Sequence, residues 1–252
     1  MSTEYQVGWA RRVIDIEPAG YAMNGYGMTQ HRARRATSEL FARALVVGGS
    51  DGPAVVICCV DLAMVTHAMR SAAVERLSER LGASFDPTAF ALTCTHTHSS
   101  PGGCGHEALY NMVTPGFVPE HLEAVTVAVT DAVAAAWDST EATTLSFTRA
   151  TIDPDVPVAW NRSLPSYNRN PEVQPRGEAA THRAIDREMW VLGAHRNGQV
   201  QALLSLFGVH ATCIGNDNDS HDGDNKGAAA TAVEDALADA GAVEPVAIFA
   251  QA

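Results

Sequence analysis

The stretch LTCTHTHSSPGGCGH, residues 92–106, contains the side chains best suited to chemistry. His96 and His98 stand two positions apart at the end of an apolar run, residues 89–97, that predicts a strand buried on both faces. Because side chains at positions i and i+2 of a strand project from the same face, both imidazoles are expected to reach one cavity. The spacing favours a shared binding or catalytic site.

A third candidate, His210, lies far along the chain, where another apolar strand leads into a loop of Asn, Asp and Gly. Catalytic zinc sites often combine imidazoles from nearby and distant positions, and they keep one coordination position open for a water whose pKa falls to about 7. His96 and His210 fit that pattern and predict a zinc site.

A histidine at a strand end can also simply hydrogen-bond a loop. The pattern His-x-His followed by Pro-Gly-Gly favours the site for His96 and His98. We favour the structural explanation for five other histidines: His31, His106, His121, His182 and His195.

Gly102 and Gly103 follow the paired histidines in the turn SSPGG. Without side chains, their backbone N–H groups can approach a ligand or a developing oxyanion. We therefore predict that Gly102 and Gly103 take part in substrate binding.

Four acidic residues surround His221 and offer a second, weaker candidate site: Asp217, Asp219, Asp222 and Asp224. They could bind a hard cation, but their spacing does not match the twelve-residue calcium loop. We favour a solvated polar loop.

Five cysteines are present, an odd number with no Cys-x-x-Cys pair. We interpret them mostly as small buried apolar residues. Cys104 and Cys213 are exceptions to watch, because each lies near a candidate site histidine.

Composition excludes several function classes. The chain has 252 residues, 46% of them hydrophobic and 18% charged, which fits one large globular domain. A net charge of −12 argues against nucleic acid or an anionic membrane as a partner. No signal-peptide pattern or bilayer-long apolar run is visible, so we expect a soluble protein, cytoplasmic or, if processed, secreted. Neither a G-x-S-x-G elbow, an H-E-x-x-H pair nor a phosphate-binding glycine loop occurs.

The elements that must position the histidines alternate between strands and helices. We predict strands at 39–49, 53–65, 89–97, 143–151, 188–195, 199–211 and 245–252, and helices at 67–82, 119–139 and 226–241. The first two strands are expected to form a hairpin around GGSDGP, and residues 159–183 a long functional loop. The expected class is α/β, with mixed sheets packed against helices, and incomplete at the C-terminus because an apolar strand ends the sequence.

Several segments together resemble the N-terminal catalytic domain of the neutral/alkaline non-lysosomal ceramidase family. They occur in the family's order and cover nearly the whole chain: VGWARRVIDIEPAGYAMNGYG, FARALVV, CCVDLAMV, THTHSSPGG, WNRSL, FGVHAT, GDNKGAAA and IFAQA. Their combination is specific, although each alone is weak.

The resemblance implies a zinc-dependent amidase that hydrolyses the N-acyl bond of ceramide to a sphingoid base and a fatty acid. It implies that His96 and His210 bind zinc, that His98 contacts the reacting amide, and that Arg162 orients the substrate or stabilises charge. Gly25 is similar to a backbone position lining the substrate entrance. In this picture zinc activates a water that attacks the amide carbonyl.

Two departures from the family pattern stand out. An Asp and a His of the family are replaced by Gly27 or Met28 and by Thr37 or Ser38. The family's serine-bearing segment and its remaining zinc ligands, a Glu and a Tyr, are expected beyond Ala252. We therefore expect residues 1–252 to be the N-terminal part of a single catalytic domain, inactive alone.

Two alternatives stay open. One is a zinc hydrolase of the same fold that acts on another N-acyl or ester compound. The other is a non-catalytic α/β module that binds metal or lipid. The sequence leaves the oligomeric state open.

Overall fold

The computed structural model describes residues 4–49, 52–114 and 116–251. Its strands are β1 Glu4–Val13, β2 Met23–Asn24, β3 Arg35–Ala36, β4 Phe41–Gly48, β5 Val55–Val60, β6 Phe90–Cys94, β7 Ser100–Pro101, β8 Glu141–Thr151, β9 Glu188–Arg196, β10 Gln199–Phe207, β11 Ser220–His221 and β12 Val246–Gln251. Its α-helices are α1 His67–Leu81, α2 Ala108–Asn111, α3 Pro119–Asp138, α4 Leu164–Tyr167 and α5 Asp224–Asp239. Short 3-10 helices occupy Gly82–Ser84, Pro87–Ala89 and Glu178–Arg183.

Eight strands form one mixed sheet in the order β12-β10-β9-β8-β1-β4-β5-β6. The β10–β12 and β5–β6 pairs are parallel, and the others are antiparallel. Each parallel pair requires a crossover, which α1 supplies between β5 and β6 and α5 supplies between β10 and β12. The predicted mixed α/β class is confirmed.

The sheet buries apolar side chains on both faces. Ala44 and Val46 of β4 pack in one core with residues of α1 and α3, whereas Leu45 between them packs in a second core with Trp9 and with Ile248 of β12. Successive strand residues point to opposite faces, so β4 serves both cores and is apolar at almost every position. The far end of the sheet therefore folds back over β4.

Most predicted elements are confirmed. β4 and β5 form the expected antiparallel hairpin, although Ser50 and Asp51 of its turn lie outside the described residues. Helix α1 begins after the N-cap Thr66, whose hydroxyl accepts a hydrogen bond from Met69 N at 3.2 Å, and it ends where Gly82 adopts φ +59°.

The predicted strands that lead to the histidines are too long. β6 stops at Cys94, and His96 adopts φ +66°, so His96 and His98 are not two positions of one strand. β10 stops at Phe207, short of His210. Within β6 only Phe90 is fully buried, which corrects the expectation of burial on both faces. All three histidines lie on loops just beyond strand ends.

Two smaller observations complete the description. The long loop 159–183 contains α4 and the 3-10 helix Glu178–Arg183. In the part of the chain that the structure describes, no helix combines the length and the apolar character needed to cross a bilayer.

Candidate metal centre

The three candidate histidines meet at one point. One ring nitrogen from each of His96, His98 and His210 lies within 4.8 Å of the others. Nε2 of His210 lies 3.0 Å from Nε2 of His98. Among the described residues, no other group of three or more His, Cys, Asp or Glu side chains converges in this way.

His96 is held by two main-chain carbonyls that follow β5. Its backbone N–H donates to Leu62 O at 3.0 Å, and its ring Nδ1 lies 2.5 Å from Ala63 O. A carbonyl oxygen only accepts, so Nδ1 carries the proton and Nε2 is left free. These two contacts hold His96 in a backbone conformation that non-glycine residues rarely adopt.

His98 is buried between aromatic and backbone groups. The Tyr26 ring meets it edge-on, with centroids 4.7 Å apart. A Cβ on Gly25, which adopts φ +124°, would lie 2.4 Å from Cγ of His98. Only glycine allows this approach, so the structure brings the predicted Gly25 directly against the site.

Desolvation favours the neutral form of His98 and His210. Burial, with smaller contributions from His96 and His210, lowers the pKa of His98 to about 4. Burial also lowers the pKa of His210, and the charges of His96 and Arg162 act in the same direction. A neutral imidazole is the form that binds a metal ion.

The charge of Arg162 acts on His210 and lowers the pKa of that imidazole. Its loop is anchored by Asn161, whose backbone N–H donates to Thr181 O at 3.1 Å and whose Nδ2 donates to Ala184 O at 2.8 Å. Arg162 itself is exposed, and its guanidinium makes no hydrogen bond or ion pair with any described residue. This unpaired cation is therefore close enough to act on the charge of His210.

The two predicted glycines of the turn are buried in packing. A Cβ on Gly102 would lie 2.6 Å from Thr114 Cγ2, and a Cβ on Gly103 would lie 2.8 Å from Val118 Cγ2. The carbonyl of Gly102 accepts from Nδ1 of His121 at 2.8 Å. These contacts account for both glycines, and their role in substrate binding stays a prediction.

The expected solvated loop holds for only part of the acidic segment, because Asp217 is exposed but the residues nearer α5 are buried. Asp219 pairs with Arg35 at 2.7 Å, and Asp224 is 2% exposed. His221 is buried as well. The end of the loop next to α5 is therefore internal, and within the described residues the loop's carboxylates do not converge on a cation site.

The cysteines agree better with expectation. Cys58, Cys59 and Cys104 are buried, Cys94 is half-buried and Cys213 is exposed. Burial raises the pKa of Cys104 to about 12, which makes it an inert thiol.

Sequence reasoning missed residues that support the cluster from behind. Tyr26 donates its hydroxyl proton to Ile214 O and stacks edge-on between His98 and His31. The side chains of Asp224, Asn225 and Lys226 bind the backbone on either side of His210. Only the segment GDNKGAAA, through its family resemblance, indicated that this stretch matters.

A mixed α/β sheet that presents three converging imidazoles on strand-end loops defines an α/β protein with a candidate metal centre. The description "Neutral/alkaline non-lysosomal ceramidase, N-terminal" belongs to the family model that matches residues 5–252. The chain belongs to this family, and the predicted resemblance is confirmed.

Several proteins of similar sequence are named neutral ceramidases. A neutral ceramidase of Drosophila melanogaster is 30% identical over 241 residues, which is 93% of this chain and 32% of that protein. The neutral ceramidase of Pseudomonas aeruginosa is 28% identical over 225 residues, 88% of this chain and 32% of that protein. The chain thus spans about a third of the length of these relatives.

Two solved structures share the fold. One, described as ceramidase complexed with C2, has a TM-score of 0.90 and 28% identity. The match covers 99% of this chain and 38% of the chain in that structure. The other, a neutral ceramidase from Pseudomonas aeruginosa, has a TM-score of 0.89 and 28% identity, with 100% of this chain and 39% of its own covered.

Proposed function

We propose that this protein takes part in hydrolysis of the N-acyl amide bond of ceramide, a lipid-like substrate, to a sphingoid base and a fatty acid. The observation that carries the proposal is the convergence of three imidazole nitrogens within 4.8 Å in a member of the ceramidase family.

The side chains present fit a zinc ion. Imidazole nitrogens are favoured ligands of zinc, and catalytic zinc sites usually combine three protein ligands with one open position. Two of the ring nitrogens face each other at 3.0 Å, and Nδ1 of buried His98 has no hydrogen-bond partner among the described residues. This donor set supports zinc as the cofactor.

Zinc bound there would supply a Lewis acid beside the amide carbonyl and would acidify water. We assign His96 and His210 as its ligands. His98 reaches the same point, where it can hold the amide of the substrate or a proton in transfer. Arg162 offers an unpaired guanidinium for developing negative charge or for the polar head of the substrate.

The substrate entrance is assigned to Gly25, where the backbone passes His98 without a side chain. Gly102 and Gly103 are proposed to line the same entrance through their backbone. A lipid substrate also needs an apolar groove, which the whole protein has to provide.

Residues 1–252 are proposed to be the N-terminal part of a single catalytic domain. The support is that the chain spans about a third of the length of its relatives. Further zinc ligands and the serine-bearing segment would then come from elsewhere in the protein, and this part alone would not turn over ceramide.

Zinc content and product analysis test the proposal. His96→Ala and His210→Ala should each lower zinc affinity by more than the roughly 10- to 100-fold that loss of an outer hydrogen-bond partner costs. His67→Ala, on the exposed face of α1, is the control and should leave zinc affinity unchanged. Unchanged zinc content in both site variants would reject the metal centre. Incubation of the whole protein with ceramide and with short N-acyl amines separates the substrates, since fatty acid released only from the amines would reject ceramide.

A further inference from the structure

Side chains in the first turn of helix α5 hydrogen-bond the backbone of the loop that carries His210. The carboxylate of Asp224 accepts hydrogen bonds from Cys213 N at 3.1 Å and Ile214 N at 3.2 Å. Nδ2 of Asn225 donates to the carbonyl of His210 itself at 3.1 Å. Lys226 Nζ donates to the carbonyl of Val209. Three consecutive residues of α5 therefore hydrogen-bond the backbone of this loop.

These side chains occupy a costly environment. Asp224 is 2% exposed and adopts φ +53°, and Lys226 is fully buried, which lowers its pKa to about 8. Buried charge is tolerated where it is hydrogen-bonded, and here the hydrogen bonds run to the backbone of one loop. These contacts hold the backbone on both sides of His210, from which its ring projects.

The segment just before α5 holds the loop of His98. The hydroxyl of Thr97 donates to Asp222 O at 2.7 Å, and Asp222 N donates to Ser99 O at 2.8 Å. Residues on both sides of His98 are thus tied to the residue that precedes the helix cap.

Further along the helix, Glu234 connects to the support of His96. Its Oε1 accepts from Arg43 Nε at 2.8 Å, and Arg43 in turn donates to Asp61 Oδ2 at 2.8 Å. Asp61 is followed directly by Leu62 and Ala63, whose carbonyls hold the backbone and ring of His96. Hydrogen bonds from Glu234 to Asp61, and then the chain from Asp61 to Ala63, therefore connect α5 to the third imidazole.

We propose that α5 is the positioning element of the metal centre, with Asp224, Asn225 and Lys226 setting His210 and Glu234 supporting His96 through Arg43 and Asp61. None of these side chains hydrogen-bonds a ring of the cluster, so they are positioning residues. The inference rests on the proposed function for its metal, but the placement of the rings can be measured without it.

The test compares two near-isosteric variants with two controls. Asp224→Asn replaces one of the two carboxylate oxygens that accept from Cys213 N and Ile214 N with an amide nitrogen. Asn225→Asp replaces the amide group that donates to the carbonyl of His210 with a carboxylate, which can only accept. Asp235→Asn makes the same change as Asp224→Asn on the exposed face of the same helix. Leu77→Ala is the second control: it removes a buried side chain of α1 from a core that contains no residue of α5, and so it lowers thermal stability without touching α5.

Two readouts are taken on each protein. The first is the NOE between the ring protons of His98 and His210 in metal-free protein, whose ring nitrogens lie 3.0 Å apart. The second is zinc affinity by chelator competition, with Co²⁺ absorption as a probe of coordination geometry. We expect both α5 variants to lose the NOE and to bind zinc about 10- to 100-fold more weakly, while Asp235→Asn and Leu77→Ala keep both properties.

The outcomes separate the two proposals. A retained NOE and unchanged zinc affinity in the folded α5 variants overturn the positioning role. If Leu77→Ala also loses the NOE and zinc affinity, the positioning role is overturned, because the losses would then follow from lower overall stability. If the parent protein binds no zinc but the α5 variants alone lose the NOE, the positioning role is supported and the metal proposal is the one that fails.

Discussion

His96 and His210 are held in opposite ways. His96 is fixed through its own ring, which hydrogen-bonds Ala63 O, and through a backbone angle of φ +66°. The ring of His210 is exposed, and its hydrogen-bond partner among the described residues is His98. Its position comes from the backbone contacts of α5. The ring of His96 is therefore held directly and reached by α5 only indirectly, through Glu234, Arg43 and Asp61, whereas His210 is held only through its backbone.

This difference shows that two ligands of one site need not share one kind of support. The His96 side follows from a strand end and two carbonyls, whereas the His210 side needs the correct docking of α5 on β12. Changes in buried charge, pH and backbone freedom should affect the two sides differently.

The largest effect is expected at the ion cluster behind His96. Asp61→Ala leaves buried Arg43 with Glu234 as its remaining charged partner, and breaking such a buried pair costs about 3–5 kcal/mol of unfolding free energy. Urea unfolding measures the loss. Asp138→Ala, on the exposed end of α3, should stay within about 0.5 kcal/mol, and a similar small value for Asp61→Ala would contradict the prediction.

Acid should destabilise the fold through buried His221, three residues before α5. Burial, aided by the nearby His121, lowers the pKa of His221 to about 4, below its unfolded value of 6.5. The unfolded chain then binds the proton first, so stability is fully present above pH 6.5 and falls towards pH 4, by roughly 3 kcal/mol from this residue.

The measurement is urea unfolding of the parent and of His221→Gln across that range. The difference between the two curves isolates His221 from His98, which titrates in the same range. If both proteins lose stability in parallel, His221 is not the titrating group.

Crowding around His98 gives a smaller effect. Gly25→Ala would place a Cβ 2.4 Å from Cγ of His98 at φ +124°, and we expect a loss of about 1–3 kcal/mol together with shifted His98 ring resonances. Gly27→Ala is the matched control, because Gly27 also has positive φ, +69°, but nothing lies within 4 Å of its Cβ position. That variant should cost about 1–2 kcal/mol and leave His98 unshifted. Equal shifts in both variants would mean that steric contact is not the cause.

Much of the fold was predictable, because short-range pattern decides it. Helix 67–82 was predicted from apolar spacing and a terminal glycine, and both features hold in α1. β1 was missed, because its charged Arg11 and Arg12 interrupt an otherwise suitable pattern of inward Val7 and Trp9.

The site was predicted in its members but not in its geometry. His96 and His98 were placed on a strand, yet β6 gives way at Cys94, where Thr95 N and His96 N turn to the carbonyls of Val60 and Leu62. Asp224 was expected in a solvated loop, but its carboxylate binds backbone N–H groups of Cys213 and Ile214. Both outcomes depend on contacts between distant segments, which a local pattern does not contain.

The smallest prediction compares the backbones of the two loops directly. At position 96, where φ is +66°, glycine adopts the required angle without the penalty of about 1–2 kcal/mol that a Cβ brings. His96→Gly should therefore be more stable than His96→Ala. His210 is not among the described residues with positive φ, so there the greater entropy loss of glycine should make His210→Gly about 0.5–1 kcal/mol less stable than His210→Ala. Urea unfolding of the four variants without metal measures both differences in stability between the Gly and Ala variants. If that difference has the same sign at positions 96 and 210, the two loops do not differ in backbone strain.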